Sequence, residues 1–156
     1  MGIGDAAAVA QALFPATVVA TPEGDLPLPL VMVAIAGAES GWDARAAGDS
    51  GLPGPHCTGM AHGRPVVAAT SWGLWQIHNV HGDFLRRATG SEDPCAWAEW
   101  LYEPGNNARA ALHVLGPDPQ RGLVNWSTWG GPWTPWPPGH GPYRAHIAAA
   151  TAAVRP

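Results

Sequence analysis

The hydrophobic positions of the chain fall into short helical blocks separated by stretches rich in Pro and Gly. Asp5 to Phe14 is Ala-rich with apolar residues at 9, 10, 13 and 14, the spacing of one helix face, and Pro15 ends it. From Leu30 to Ala38 every face is apolar, so this second helix must be buried; Pro27 and Pro29 suit its start, and Gly41 suits its stop. Further helices are predicted over His81–Thr89, Pro94–Tyr102, Asn107–Leu115 and Tyr143–Val154. Val, Ile and Thr show no sustained alternation, so little sheet is expected. The stretches 50–65 and 130–142 read as long loops inside one unit, and the whole segment from Asp43 to Thr70 is long enough to suggest a functional loop. The expected fold class is mainly α, with residues 1–156 forming one domain.

Composition narrows the function classes. With 156 residues, 46% hydrophobic and 13% charged, the chain should fold into a domain that buries roughly two-thirds of its unfolded surface. Eight Arg, no Lys and twelve acids give a net charge of −4, the opposite of the basic footprint that nucleic acid demands, so no nucleic-acid partner is expected. The longest uncharged apolar stretch near the start, Leu26–Ala38, is shorter than the roughly 20 residues of a membrane span. No cationic start precedes Met1–Ala20, so the expectation is a chain without a secretory signal. Cys57 and Cys95 are equally compatible with one disulfide or with two free thiols. His56, Cys57, His62, His78 and His81 include zinc-ligand types, but their spacing fits no zinc motif, and no metal is expected.

Glu39 is the first candidate for chemistry. A carboxyl at the end of an apolar helix loses hydration when ionised, so its pKa rises and it can serve as a proton donor near neutral pH. Cleavage of a glycosidic bond requires such an acid at the leaving oxygen. The plainer alternative is a Glu at a helix end paired with an Arg such as Arg45.

Glu39 belongs to Ala36-Gly37-Ala38-Glu39-Ser40-Gly41-Trp42, and downstream lies Ser71-Trp72-Gly73-Leu74-Trp75-Gln76-Ile77. Leu101-Tyr102-Glu103-Pro104-Gly105-Asn106-Asn107-Ala108-Arg109 and Trp126-Ser127-Thr128-Trp129, with Gly141-Pro142-Tyr143, follow in order. Taken together, residues 30–147 resemble the soluble lytic transglycosylase and goose-type lysozyme superfamily, in its phage and actinobacterial branch. The resemblance implies a lysozyme-like fold and cleavage of the β-1,4 bond between N-acetylmuramic acid and N-acetylglucosamine in peptidoglycan, without a cofactor. It implies Glu39 as acid and base, Asp49 as a possible second carboxylate, and Ser40, Ser71, Trp75, Gln76, His78, Trp129 and Tyr143 as substrate-binding residues. Ser40 would also fix the helix end, and Asn107 and Arg109 would be structural. The chain departs from the pattern in its long Glu39–Gly73 interval, in His78 where Asn is usual, and in lacking the Tyr-Asn-Ala-Gly segment, for which Trp126, Trp129 or Tyr143 are candidate replacements. The implied partner is the glycan strand of the bacterial cell wall, met by a monomeric phage endolysin or by a virion component. A non-catalytic wall-binding or tail-tip module of the same fold is the alternative.

Overall fold

The computed structural model describes residues 2–154. Helix α1 (Ile3–Leu13) leads into a hairpin of β1 (Val18–Thr21) and β2 (Gly24–Pro27), and the chain then enters α2 (Leu28–Ser40). Three very short strands, β3 (Ala47–Gly48), β6 (Ser71–Trp72) and β7 (Ile77–His78), form one antiparallel sheet in that order. Between β3 and β6 projects a second hairpin, β4 (Cys57–Ala61) with β5 (Arg64–Ala69). The remaining α-helices are α3 (Gly82–Thr89), α4 (Pro94–Leu101), α5 (Pro104–Leu115), the single turn α6 (Pro119–Gly122), and α7 (Ile147–Ala153), with the irregular segment 126–141 before α7.

Helix α2 is the axis of the core. Residues Leu28 to Gly37 are all buried, as the apolar run on every face requires. Prolines sit at its start, where a missing N–H costs nothing, and Gly41 ends it at φ 61°, donating its N–H to the carbonyls of Ala36 and Gly37. Helices α1 and α7 and the turn Pro142–His146 pack against it, α5 packs in turn on α1, and the rings of Trp72, Trp75 and Trp97 are buried in the same core. Two Trp side chains help to register this packing. Trp75 Nε1 donates to the Met32 carbonyl at 2.7 Å, and Trp42 folds back over α2 to donate to the Val33 carbonyl at 2.9 Å.

Asn107 joins the helical layer to the small sheet. Wholly buried, its side chain accepts from the Trp75 N–H and donates to the Trp72 and Leu101 carbonyls at 2.9 to 3.0 Å. Gly73 makes room for it: at φ 84°, a Cβ there would lie 2.0 Å from Asn107 Nδ2. Arg109 donates to its neighbour Asn106 at 2.9 Å on the surface.

The expectation of a mainly α fold holds only in part: about half of the described residues are helical, and the architecture is mixed α and β. The stretch 43–70 is a hairpin and sheet rather than one long loop, and residues 143–154 divide into a 3-10 turn (Pro142–His146) and α7. The hairpin is attached by a disulfide between Cys57 and Cys95, whose Cα atoms are 5.1 Å apart, so the thiol alternative falls away. With Cys57 oxidised, the metal alternative also loses its thiolate, and no cluster of three or more His, Cys, Asp or Glu occurs among the described residues. No helix among them is long and apolar enough to cross a membrane.

Candidate active site

Where α2 ends, the core opens into a cleft of about 450 Å³. Glu39 from the last turn of α2 lies at one wall. Asp49, Ser71, Gln76, Ile77 and His78 come from the small sheet and its approach, and Val80 and His81 from the turn that follows. Val114 from α5 and the segment Asn125, Trp126 and Ser127 close the opposite side.

Among the described residues no cation pairs with Glu39. Arg45 turns away to Glu99, 3.1 Å distant at the surface, so the plain ion-pair alternative for Glu39 does not hold. Burial pushes the Glu39 carboxyl up to about 7 from 4.5. Opposing this, the Thr128 hydroxyl donates to Oε1 at 2.6 Å and the Thr128 amide also favours the ionised form, while the negative charge of Asp49 adds to the rise. The result is a carboxyl half-protonated near neutrality and held in one orientation, the combination a general acid and base requires. Thr128 is itself fixed, because its carbonyl accepts the Tyr143 N–H at 3.0 Å.

Asp49 also lines the cleft, in the left-handed backbone region at φ 56°. Its carboxylate accepts a hydrogen bond from the Ser71 hydroxyl, and its carbonyl accepts from the Thr70 hydroxyl at 2.9 Å. Gln76, also left-handed at φ 45°, donates its amide to the Ala46 and Gly73 carbonyls at 3.1 and 2.9 Å, which pins that wall. His78 accepts the Val80 N–H on Nδ1 at 3.1 Å, so Nε2 carries its ring proton and faces the Thr70 hydroxyl at 3.4 Å. Beside it, burial lowers the pKa of His81, assisted by His113 and His78, which favours the neutral imidazole.

Five residues expected at the site therefore meet there: Glu39, Asp49, Ser71, Gln76 and His78. Four others do not line the cleft. Ser40 is buried and donates its hydroxyl to the Ala36 carbonyl at 2.9 Å, so it serves the helix end and not a ligand. Trp75 is fully enclosed, edge-on to Phe14 at 5.1 Å, and offers no open face to a sugar. Trp129 and Tyr143 are equally enclosed, 4.7 Å apart, where they hold the segment behind Thr128. The reason is shared: large rings next to a site remove more apolar area from water when they support it from behind than when they line it. Among the candidate replacements, Trp126 reaches the cleft edge, its Nε1 donating to the Trp75 carbonyl at 2.7 Å. Thr128 escaped the sequence reading although it lies inside the quoted Trp126–Trp129 segment, because a lone Thr carries no signal until the fold brings it to Glu39, 89 positions away.

Comparison of the chain with protein-family models, with curated proteins and with solved structures gives no match in any of the three.

Proposed function

We propose that this chain is a peptidoglycan-cleaving enzyme of lysozyme-like fold that breaks the β-1,4 bond between N-acetylmuramic acid and N-acetylglucosamine. The observation that carries this reading is the Glu39 carboxyl, raised to about 7 by burial, without a cationic partner among the described residues and oriented by Thr128 at the wall of an open cleft. In the reaction, protonated Glu39 gives its proton to the glycosidic oxygen as the C1–O bond breaks, and the sugar leaves with that oxygen as a hydroxyl. No cofactor enters these steps. Gln76, His78 and Ser71 supply polar groups along the same wall for hydroxyl and N-acetyl recognition.

Two fates are open to the muramoyl C1, and Asp49 distinguishes them. In hydrolysis, the Asp49 carboxylate takes one proton from a water whose oxygen bonds to C1. In the lytic transglycosylase route, ionised Glu39 takes the proton of the muramoyl C6 hydroxyl, whose oxygen closes the 1,6-anhydro ring without water. A second carboxylate in the same cleft, fixed by Ser71, favours hydrolysis.

The test is mass spectrometry of fragments released from purified peptidoglycan by wild type, Glu39→Gln and Asp49→Asn. Reducing muramoyl ends, lost in both variants, are expected. Ends lighter by one water that survive Asp49→Asn would replace hydrolysis by the transglycosylase route. No release by wild type would overturn the catalytic reading and leave a wall-binding module. The setting that accompanies the reading is a phage lysis protein or virion component acting on the cell wall.

A further inference from the structure

The most exposed large apolar side chain in the described structure is Trp133, at 93%. It stands on the segment Gly130–Gly139, outside the residues that line the cleft. Two features keep that segment from collapsing onto the protein. Pro132, Pro135, Pro137 and Pro138 fix four of its φ angles. At its centre the Thr134 hydroxyl bonds to the carbonyls of Gly131 and Trp136 and accepts the N–H groups of both, at 2.9 to 3.2 Å, while the Gly131 N–H also reaches the Trp136 carbonyl at 3.0 Å. The turn is this tight only because Gly130 has no Cβ, which would fall 2.3 Å from the Pro137 carbonyl. An indole on a rigid mount loses little freedom on meeting a partner.

The segment is also continuous with the catalytic wall. Ser127 lines the cleft, Thr128 holds Glu39, and buried Trp129 anchors the first turn of the loop. Its chemistry selects the partner, since 129–139 contains no charged residue and the chain carries no Lys. A neutral, flat aromatic face suits the apolar C–H face of a pyranose ring, and provides nothing for phosphate or an anionic surface. We propose that Trp133 is an accessory stacking platform for the neutral sugar rings of a glycan strand beyond the cleft, retaining insoluble substrate near Glu39.

This inference rests on the peptidoglycan reading, and the experiment separates the two. Binding to insoluble peptidoglycan is measured by sedimentation with Glu39→Gln, and with the same variant carrying Trp133→Ala or Trp133→Phe; wild type is assayed alongside for released fragments. Roughly tenfold weaker retention is expected for Trp133→Ala, with most binding restored by Phe and an unchanged melting temperature. If wild type releases fragments while Trp133→Ala sediments as well as its parent, the platform is overturned and the enzyme reading stands. If wild type releases nothing and Glu39→Gln does not sediment, both fall. Trp133-dependent binding to phosphatidylcholine vesicles, with none to peptidoglycan, would replace the glycan by a lipid surface.

Discussion

The two carboxylates of the cleft are supported in opposite ways. Glu39 stands in the last turn of a helix buried from Leu28 to Gly37, capped by Gly41 and backed by Trp42 and Trp75, so its position is set by core packing. Asp49 sits on an exposed connection with left-handed backbone, placed by hydrogen bonds from Ser71 and Thr70 and by a hairpin that a disulfide ties to α4. Packing desolvates Glu39 and raises its pKa, whereas Asp49 is placed by hydrogen bonds on an exposed connection, so one cleft presents two carboxyl groups with different surroundings.

The sharpest way to break this comparison is Glu39→Gln, which should lower turnover of peptidoglycan by about a thousandfold or more while the fold persists. Stability should move the other way. The folded-state pKa lies above the unfolded value of 4.5, so the native protein binds more protons between pH 4.5 and 7 and loses stability as pH rises through that window. Glu39→Gln removes that loss, and thermal melts above pH 7 should show a gain of up to about 3 kcal/mol that vanishes below pH 4.5. A variant no more stable at pH 8 than wild type would contradict the burial of Glu39.

Next in size is the disulfide. It closes a separation of 38 residues, for which loop entropy gives about 4 kcal/mol. Cys57→Ser or thiol reduction should lower the melting temperature, and hydrogen exchange should rise in 47–69 before it rises in α2. Equal loss of protection in both regions would mean that the two walls do not differ in support.

Thr128→Val acts on the helix wall alone. Losing a hydrogen bond that stabilises ionised Glu39 raises its pKa further, so the alkaline limb of kcat/KM, expected near pH 7 in wild type, should shift to higher pH. Its maximum should fall by roughly tenfold, the worth of one hydrogen bond to a charged group. The smallest effect belongs to Arg45→Met. Its ion pair with Glu99 is exposed on both sides, so stability should change by less than about 0.5 kcal/mol and the pH profile not at all.

Much of the helix wall was legible in the chain. Apolar residues on every face from Leu30 to Ala38 require burial, and Pro27, Pro29 and Gly41 mark the limits, so a desolvated Glu39 follows from local rules. The other wall was opaque. Strands of two residues have no period to detect, and in β4 and β5 every position but Ala69 is exposed or half-buried, which leaves no hydrophobic signature. Trp75, Trp129 and Tyr143 were legible as important and misassigned as ligand-facing, because sequence shows that an aromatic ring sits beside a site but not which way it turns.

By itself, then, the sequence determines most of the longer helices, though not the short turn α6 or the division of 143–154, together with the buried α2 axis, the acid at its end and the excess of acids over bases. The tertiary structure alone decides that Cys57 meets Cys95, that Thr128 reaches Glu39 from 89 positions away, that Arg45 pairs with Glu99, and that Asp49 faces the same cleft. The division has one physical reason. Helix periodicity and capping are interactions within a few residues, readable in any window, whereas a site is made of contacts whose partners are chosen by packing and loop closure across the whole chain.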